Sequence, residues 1–223
     1  MQNTLKVNYQ LELERELKKI AEEGRRPRLL LHGCCAPCSS YVLEYLNRAF
    51  EITLFYYNPN ISPAEEYAHR AEEAARLIRE MGIDSKLEVA EYDSSEYLQA
   101  VRGLEDEPEG GKRCEACFRL HLGKTAEKAQ AENYDYFTTT LSISPLKDAQ
   151  LLNAIGRELS EKTGVPYLYS DFKKRNGYRR SVELSAIYGL YRQDYCGCVY
   201  SRAERERIKN AQDINRQQTN DGR

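Results

Sequence analysis

The amino-acid sequence predicts an α/β fold of three layers, in which helices cover both faces of a doubly wound parallel sheet. Short apolar runs alternate with longer amphipathic stretches along the chain, which is the pattern of repeated strand–helix units. Crossovers between parallel strands are right-handed and place successive helices on the two faces. With 223 residues, the chain is long enough for one such domain with a sizeable core.

The first half of the chain contains three predicted strands, each followed by a helix. Strands are predicted at residues 28–32, 52–57 and 86–89, and helices at about 8–23, 38–48, 64–81 and 96–101. Pro37 suits the first turn of the second helix. Ser62 and Glu65 have the spacing of a capping box at the start of the third, and Gly82 follows its end.

The second half of the chain continues the alternation after a Gly-rich loop at residues 105–112. Helices are predicted at about 114–132 and 147–163, and strands at 136–142 and 166–170. We therefore expect a single α/β metalloenzyme domain at residues 1–201, opened by an N-terminal helix. The polar extension at 202–223 lacks aromatic residues, and at least residues 219–223 are expected to be disordered.

The charge balance and hydropathy of the chain are those of an ordinary water-soluble protein. The formal net charge is -2, with 30% charged residues, so any contact with nucleic acid must come from a local patch. No apolar run approaches the ~20 residues that span a bilayer. We expect a cytoplasmic protein that does not contact a membrane.

Seven cysteines fall into three tight groups, and they are the most informative residues in the chain. Their sequences are Cys34-Cys35-Ala-Pro-Cys38, Cys114-Glu-Ala-Cys117 and Cys196-Gly-Cys198. A disulfide framework suits small secreted domains, whereas spacings of one to three residues are typical of metal ligands. A structural zinc site with spare cysteines remains the simpler alternative, and a thioredoxin-like pair would leave the other thiols unexplained.

The number of cysteines allows two metal sites. Cys35 with Cys38, and Cys114 with Cys117, are two pairs at three-residue spacing, and four thiolates suit either zinc or an iron–sulfur cluster. If these four form a closed site, three cysteines remain, namely Cys34, Cys196 and Cys198. Three protein ligands leave an open coordination position, which a catalytic metal requires.

Four stretches of this sequence resemble the cobalamin-independent epoxyqueuosine reductases of the QueH type. They are LHGCCAPC at 31–38, YNPNI at 57–61, RCEACF at 113–118 and YRQDYCGC at 191–198. The resemblance covers roughly residues 8–201, and it implies a Rossmann-like fold related to the PP-loop and HUP proteins. It also implies that epoxyqueuosine at the wobble position of tRNA is reduced to queuosine.

The resemblance further implies a [4Fe-4S] cluster beside a mononuclear iron. Carried over residue by residue, the cluster ligands are Cys35, Cys38, Cys114 and Cys117, and the iron ligands are Cys34, Cys196 and Cys198. A low-potential electron donor, such as a ferredoxin or flavodoxin-like protein, is expected as a partner. His121 stands where the family pattern leads us to expect arginine.

Removal of an epoxide oxygen as water needs two electrons and two protons, so a proton donor is expected near the metal ligands. Tyr195, Tyr191 and His32 are the candidates, because each lies close in sequence to a cysteine. His32 ends a predicted buried strand, and a core histidine held by hydrogen bonds is an equally good interpretation of that position.

Two further sets of residues are candidates for substrate binding. Asn58 and Asn60 follow the end of a strand, where ligands of parallel sheets bind, although Asn-Pro is also ordinary turn chemistry. A basic run, with Tyr178 inside it as a stacking residue, could hold tRNA phosphates, although a solvated loop would look the same. The basic run consists of Lys173, Lys174, Arg175, Arg179 and Arg180.

Two other functions fit part of the pattern. A PP-loop sulfur transferase that modifies tRNA would need a Gly-rich phosphate loop after the first strand, and residues 33–38 contain one glycine. A zinc-stabilised RNA-binding module would use the cysteines only as structural ligands.

Overall fold

Four parallel strands form the centre of the structure, a computed structural model that describes residues 6–220, with side chains to residue 212. The strands are β1 (Arg28–His32), β2 (Glu51–Tyr56), β3 (Ser85–Val89) and β4 (Tyr136–Thr139). Their order across the sheet is β3-β2-β1-β4. In the register of the sheet, Leu29 of β1 lies opposite Ile52 on one side and Tyr136 on the other.

Eight helices are described within these residues, most of them connecting or flanking the strands. They are α1 (Tyr9–Glu22), α2 (Ala36–Leu46), α3 (Ala64–Met81), α4 (Ser94–Ala100), α5 (Lys112–Ala131), α6 (Ala149–Thr163), α7 (Gly177–Ile187) and α8 (Val199–Asn220). None of the described helices is both long enough and apolar enough to cross a bilayer.

The two faces of the sheet carry separate hydrophobic cores, as the alternation of side chains along β1 requires. Leu29 and Leu31 point into a core with α1, α2, α3 and α7, whereas Leu30 points into a core with α5 and α6. Strands buried on both faces read as continuous apolar runs, which is how β1 appears in the sequence. The predicted three-layer doubly wound architecture is confirmed.

The last two predicted strands are shorter than expected. β4 ends at Thr139, because the Thr139 side chain accepts a hydrogen bond from the Leu141 amide and starts a 3-10 turn at Thr140–Ile143. The predicted fifth strand is reduced to a single parallel bridge between Phe137 and Tyr167. Pro166 at the start of this segment has no N–H to donate.

The capping box predicted at Ser62 and Glu65 does not form. Pro63 is the N-cap of α3, and no side chain accepts a hydrogen bond there. The Ser62 amide, which the glutamate would have to reach, instead donates to the carbonyl of Gly197 at 3.0 Å. This bond connects the loop before α3 to the Cys196-Gly-Cys198 turn.

The C-terminal extension is more ordered than its composition suggested, because α8 includes residues 219 and 220, which were expected to be disordered. The stretch from Val199 to Asn220 contains neither glycine nor proline, and Arg202 pairs with Glu206 one turn later. The remaining predicted residues, 221–223, lie outside the described part. The basic run, taken as a loop from the sequence, enters helix α7 at Gly177.

Two helical glycines differ in the space around them and give a test of the packing between α6 and the sheet. A Cβ at Gly156 would lie 2.4 Å from the Tyr167 ring, whereas a Cβ at Gly123 of α5 meets nothing within 4 Å. We expect Gly156→Ala to lower the free energy of unfolding by about 1–3 kcal/mol. Gly123→Ala should raise it by up to about 1 kcal/mol, because alanine is the better helix former.

Urea denaturation of the two variants and the wild type measures both effects. Equal stabilities of the two variants would contradict the close packing of Gly156 on Tyr167.

Candidate metal centre

Two adjoining cavities lie where the strands end, and all seven cysteines line one or both of them. The first cavity, of about 290 Å³, is lined by Cys34, Cys35, Cys38 and Cys196 among others. The second, of about 20 Å³, is lined by Cys114, Cys117, Cys196 and Cys198. Cys196, Lys147 and Glu109 line both, so the two cavities share a wall. All seven cysteines are free thiols.

Three sulfurs form a compact triad, which we define as Cys34, Cys35 and Cys38. Their Sγ atoms all lie within 4.8 Å of one another, and the Cys34 and Cys35 sulfurs are 3.8 Å apart. Cys34 and Cys35 are brought together because the chain leaves β1 in an extended conformation and enters α2 directly, with Cys35 as its N-cap. Cys38 lies on the first turn of that helix.

The triad behaves electrostatically as one unit. Hydrogen bonds from Cys34 and then Cys38 hold the pKa of the Cys35 thiol well below its usual range. The same bonds raise the pKa of Cys34 and of Cys38, with burial adding to the effect. Three neighbouring thiols therefore carry one negative charge among them, and full ionisation requires a cation.

The other four cysteines, which we call the thiol quartet, surround the second cavity. The Gly110 amide donates to the Cys114 Sγ at 3.2 Å, and the Ser201 amide donates to the Cys198 Sγ at 3.4 Å. The Cys117 Sγ lies 3.5 Å from Nδ1 of His121. Cys114 and Cys117 are within the first two turns of α5, so the sequence-predicted pair is one turn apart on the same helix.

The grouping of the sulfurs differs from the one carried over from the family resemblance. Cys34, expected with Cys196 and Cys198, lies beside Cys35 and Cys38. Cys196 and Cys198 line the second cavity together with Cys114 and Cys117. The ligand assignment of each cysteine therefore stays a prediction, and the distances favour a triad and a quartet.

Two buried cations flank the sulfurs, and neither was singled out from the sequence. Arg70 of α3 is 2% exposed and lines the first cavity; its Nε donates to Oε1 of Glu66 at 2.7 Å. Lys147 is 8% exposed, and its Nζ lies 3.4 Å from the Cys196 Sγ. Burial alone would lower the pKa of Lys147, but Cys196, Cys114 and Glu109 outweigh it and raise that pKa.

A signal for Arg70 was present in the sequence. Tyr67, Ala71 and Ala74 mark the apolar face of α3, and Arg70 lies on the same face, where a charged residue needs a partner. Lys147 gives no comparable signal, because a lysine just before a helix looks like a surface residue. Its burial depends on the contact between the loop after β4 and the Cys196 turn.

The three candidate proton donors lie in different environments. Tyr195 lines the first cavity, with the Arg70 guanidinium 5.4 Å from its ring centre. Tyr191 is exposed, its hydroxyl donates to Glu66, and it lines neither cavity. His32 also lines neither cavity.

His32 has the surroundings of a core histidine. Its Nε2 donates to the Tyr57 carbonyl, and its Nδ1 lies 2.9 Å from Oγ1 of Thr139. Burial lowers its pKa to about 4. A neutral, fully hydrogen-bonded imidazole that faces neither cavity is poorly placed to deliver a proton there.

The two asparagines after β2 also differ. Asn58 is buried, and its Nδ2 donates to the Gly33 carbonyl at 2.9 Å, which ties the end of β2 to the loop that carries Cys34. Asn60 lines the second cavity, and its Oδ1 accepts from Nε2 of His121 at 3.0 Å. Asn58 thus supports the cysteine loop, and Asn60 is the one that lines a cavity.

The basic run lies beside the first cavity, but most of its charges are paired. Its four ion pairs are Lys173–Asp171, Arg175–Glu14, Arg179–Glu183 and Arg180–Glu44. Lys174 is exposed, and Tyr178, 40% exposed, lines the mouth of the first cavity. The exposed pairs contribute only about 0–1 kcal/mol each, so an incoming phosphate can compete for these cations.

Comparison with known proteins gives a consistent family. The family model described as "Epoxyqueuosine reductase QueH" matches residues 29–204. The chain is 46% identical to the epoxyqueuosine reductase QueH of Streptococcus pyogenes serotype M1 over 200 residues, covering 88% of this chain and 78% of that protein. It is 41% identical to the QueH of Staphylococcus epidermidis over 202 residues, covering 88% and 85%.

Among solved structures, the chain is similar to the U34-tRNA thiolase NcsA of Methanococcus maripaludis with its [4Fe-4S] cluster. That likeness has a TM-score of 0.45 at 13% identity, and it covers 92% of this chain and 75% of the thiolase. Family membership rests on the extent of the sequence matches. The chain belongs to the QueH family of epoxyqueuosine reductases, which are oxidoreductases of queuosine biosynthesis.

Proposed function

We propose that this protein reduces the epoxide of epoxyqueuosine in tRNA to the alkene of queuosine, using a [4Fe-4S] cluster and a mononuclear iron held by its seven cysteines. The observation that carries the proposal is the convergence of seven free thiols on two cavities with a shared wall. One of those cavities, of about 290 Å³, is large enough to receive part of a nucleoside.

The geometry of the triad suits a single metal ion. Sulfurs bound tetrahedrally about 2.3 Å from one ion lie about 3.8 Å apart. The Cys34 and Cys35 sulfurs have this 3.8 Å separation already. Three thiolates leave a fourth position open, and soft sulfur donors suit iron or zinc.

The thiol quartet is then the better candidate for the cluster. Its four sulfurs converge on one cavity, and backbone amides donate to two of them, which favours a negatively charged sulfur centre. The assignment carried over from the family resemblance, with Cys35 and Cys38 on the cluster and Cys196 and Cys198 on the iron, is the competing proposal.

The reaction breaks both epoxide C–O bonds, consumes two electrons and two protons, and releases the oxygen as water. When bound, the metals would supply one-electron transfer and a Lewis-acidic position for the epoxide oxygen. Tyr195 is the candidate proton donor, because it lines the first cavity with Arg70 near its ring. The electrons would come from a low-potential carrier of the ferredoxin or flavodoxin class.

The tRNA would approach over α7. Tyr178 at the mouth of the first cavity offers a ring on which a loop base can stack, and the basic run offers cations to the phosphates beside it. Leu146, 72% exposed, lines the same cavity mouth and would extend this apolar surface.

Metal analysis gives the first test of the proposal. After anaerobic purification and reconstitution we expect about five irons and four labile sulfides per chain, with the broad visible absorption of a [4Fe-4S] centre. Inductively coupled plasma mass spectrometry and a sulfide assay measure these quantities. Zinc without sulfide would instead favour a zinc-stabilised RNA-binding module.

Paired cysteine substitutions separate the two ligand groupings. If the quartet holds the cluster, Cys196→Ser/Cys198→Ser should lose the brown colour and the sulfide. Cys35→Ser/Cys38→Ser should keep the cluster spectrum but lose the additional iron. Both variants should lose epoxyqueuosine reduction, which nucleoside mass spectrometry of treated tRNA measures.

The same two variants give the opposite result under the competing assignment. Loss of the cluster from Cys35→Ser/Cys38→Ser, with retention in Cys196→Ser/Cys198→Ser, would replace the triad-and-quartet grouping. Retained turnover in either variant would remove that pair from the reaction.

Substitution of the basic run tests the tRNA surface. Changing Lys173, Lys174, Arg175, Arg179 and Arg180 to alanine should weaken tRNA binding and flatten its dependence on salt, by about 0.7–0.9 in the logarithmic slope per lost phosphate contact. Lys86→Ala/Lys162→Ala, at the opposite end of the strands, is the control and should leave the slope unchanged. Fluorescence anisotropy over a range of salt concentrations measures the slope, and an unchanged slope in the five-residue variant would exclude this surface.

A further inference from the structure

Lys147 is a buried cation on the wall that the two cavities share. Its side chain is 8% exposed, and its ammonium lies 3.4 Å from the Cys196 Sγ and 5.7 Å from the centre of the Phe118 ring. It lines the triad cavity and the quartet cavity alike. No other lysine in the described residues lines either of these cavities.

The charge of Lys147 is less well neutralised than that of the other buried cation, Arg70. The Arg70 guanidinium contacts the Glu66 carboxylate through Nε and Nη2, both at 2.7 Å. The Lys147 ammonium has Glu109 as its carboxylate partner, at 3.5 Å, and the Glu109 side chain is 31% exposed on the loop before α5. A buried charge needs a close partner of opposite sign, and for Lys147 the nearest atom that can carry one is the Cys196 sulfur.

We propose that Lys147 is a positioning residue that compensates the negative charge of the sulfur centre around Cys196 and thereby raises its reduction potential. This inference rests on the proposed iron–sulfur function. It adds to that function a residue that acts through a cysteine rather than on the substrate.

The direction of the effect follows from electrostatics. Reduction adds one negative charge to the centre, and a fixed positive charge a few ångströms away stabilises the more negative state. Burial strengthens the interaction because little water screens it. Glu109 lies on the other side of the ammonium and partly cancels its charge, so the two residues should shift the potential in opposite directions.

Substitutions of Lys147 test the inference by potentiometry. Lys147→Met keeps the length of the side chain and removes its charge, and it should lower the midpoint potential by at least 59 mV, a tenfold change in the equilibrium constant of a one-electron couple. Lys147→Arg should restore most of the wild-type potential. Lys162→Met, on the exposed surface of α6, is the matched control and should leave the potential unchanged.

Reductive titration followed by visible absorbance and electron paramagnetic resonance measures the potential, with iron and sulfide determined on every sample. Glu109→Gln is the second variant, and it should raise the potential because the ammonium is then less compensated. This variant keeps the inference testable if Lys147→Met fails to assemble the cluster.

The outcomes separate this inference from the proposed function. An intact cluster with an unmoved potential in both Lys147→Met and Glu109→Gln would overturn the role of Lys147 and leave the iron–sulfur function standing. A lowered potential in Lys147→Arg as large as in Lys147→Met would also overturn it, since the charge would then not be the cause. A wild-type protein that takes up no iron would overturn the proposed function and this inference with it.

Discussion

Repulsion between closely packed thiolates is the constraint on which the functional end of this molecule depends. Cys34, Cys35 and Cys38 hold their sulfurs within 4.8 Å of one another, and without a cation they share a single negative charge. The quartet around the second cavity adds four further sulfurs. Arg70 and Lys147 supply two positive charges, which are too few for seven thiolates, so the arrangement is suited to bound metal.

The fold meets this constraint by tying the three cysteine segments to one another through backbone carbonyls. The carbonyls of Gly33, Gly197 and Cys196 accept from Asn58, the Ser62 amide and Arg70 respectively. Each of these bonds joins a cysteine segment to β2 or to the start of α3. The sheet is therefore the frame that fixes the spacing of the sulfurs, although it contributes none of them itself.

Two glycines beside the cysteines make this close approach possible. A Cβ at Gly33 would lie 2.7 Å from Cδ1 of Leu54, so the loop after β1 could not lie so close to β2. Gly197 has a φ of 119°, which other residues rarely adopt, and a Cβ there would lie 3.0 Å from both Arg70 and Ile61. These positions explain why a glycine separates Cys196 from Cys198.

The sequence was sufficient for the architecture and for the identity of the sulfur ligands as a set. Periodicity predicted β1 and α3, because each depends mainly on its own apolar pattern. It was insufficient for β4 and the fifth strand, whose lengths depend on the Thr139 side chain and on Pro166 at the sheet edge. The partition of the cysteines and the burial of Lys147 depend on distances between segments far apart in the chain, which spacing alone does not contain.

The surface expected to meet tRNA illustrates how local charge differs from net charge. The basic run reads as five positive charges in the sequence, but Glu14, Glu44, Asp171 and Glu183 lie against four of them. In the absence of RNA, these carboxylates limit non-specific attraction of anions. A tRNA that also seats a base on Tyr178 and a nucleoside in the first cavity gains contacts that a free polyanion does not. The ion pairs would then favour a correctly seated anticodon loop over other nucleic acid.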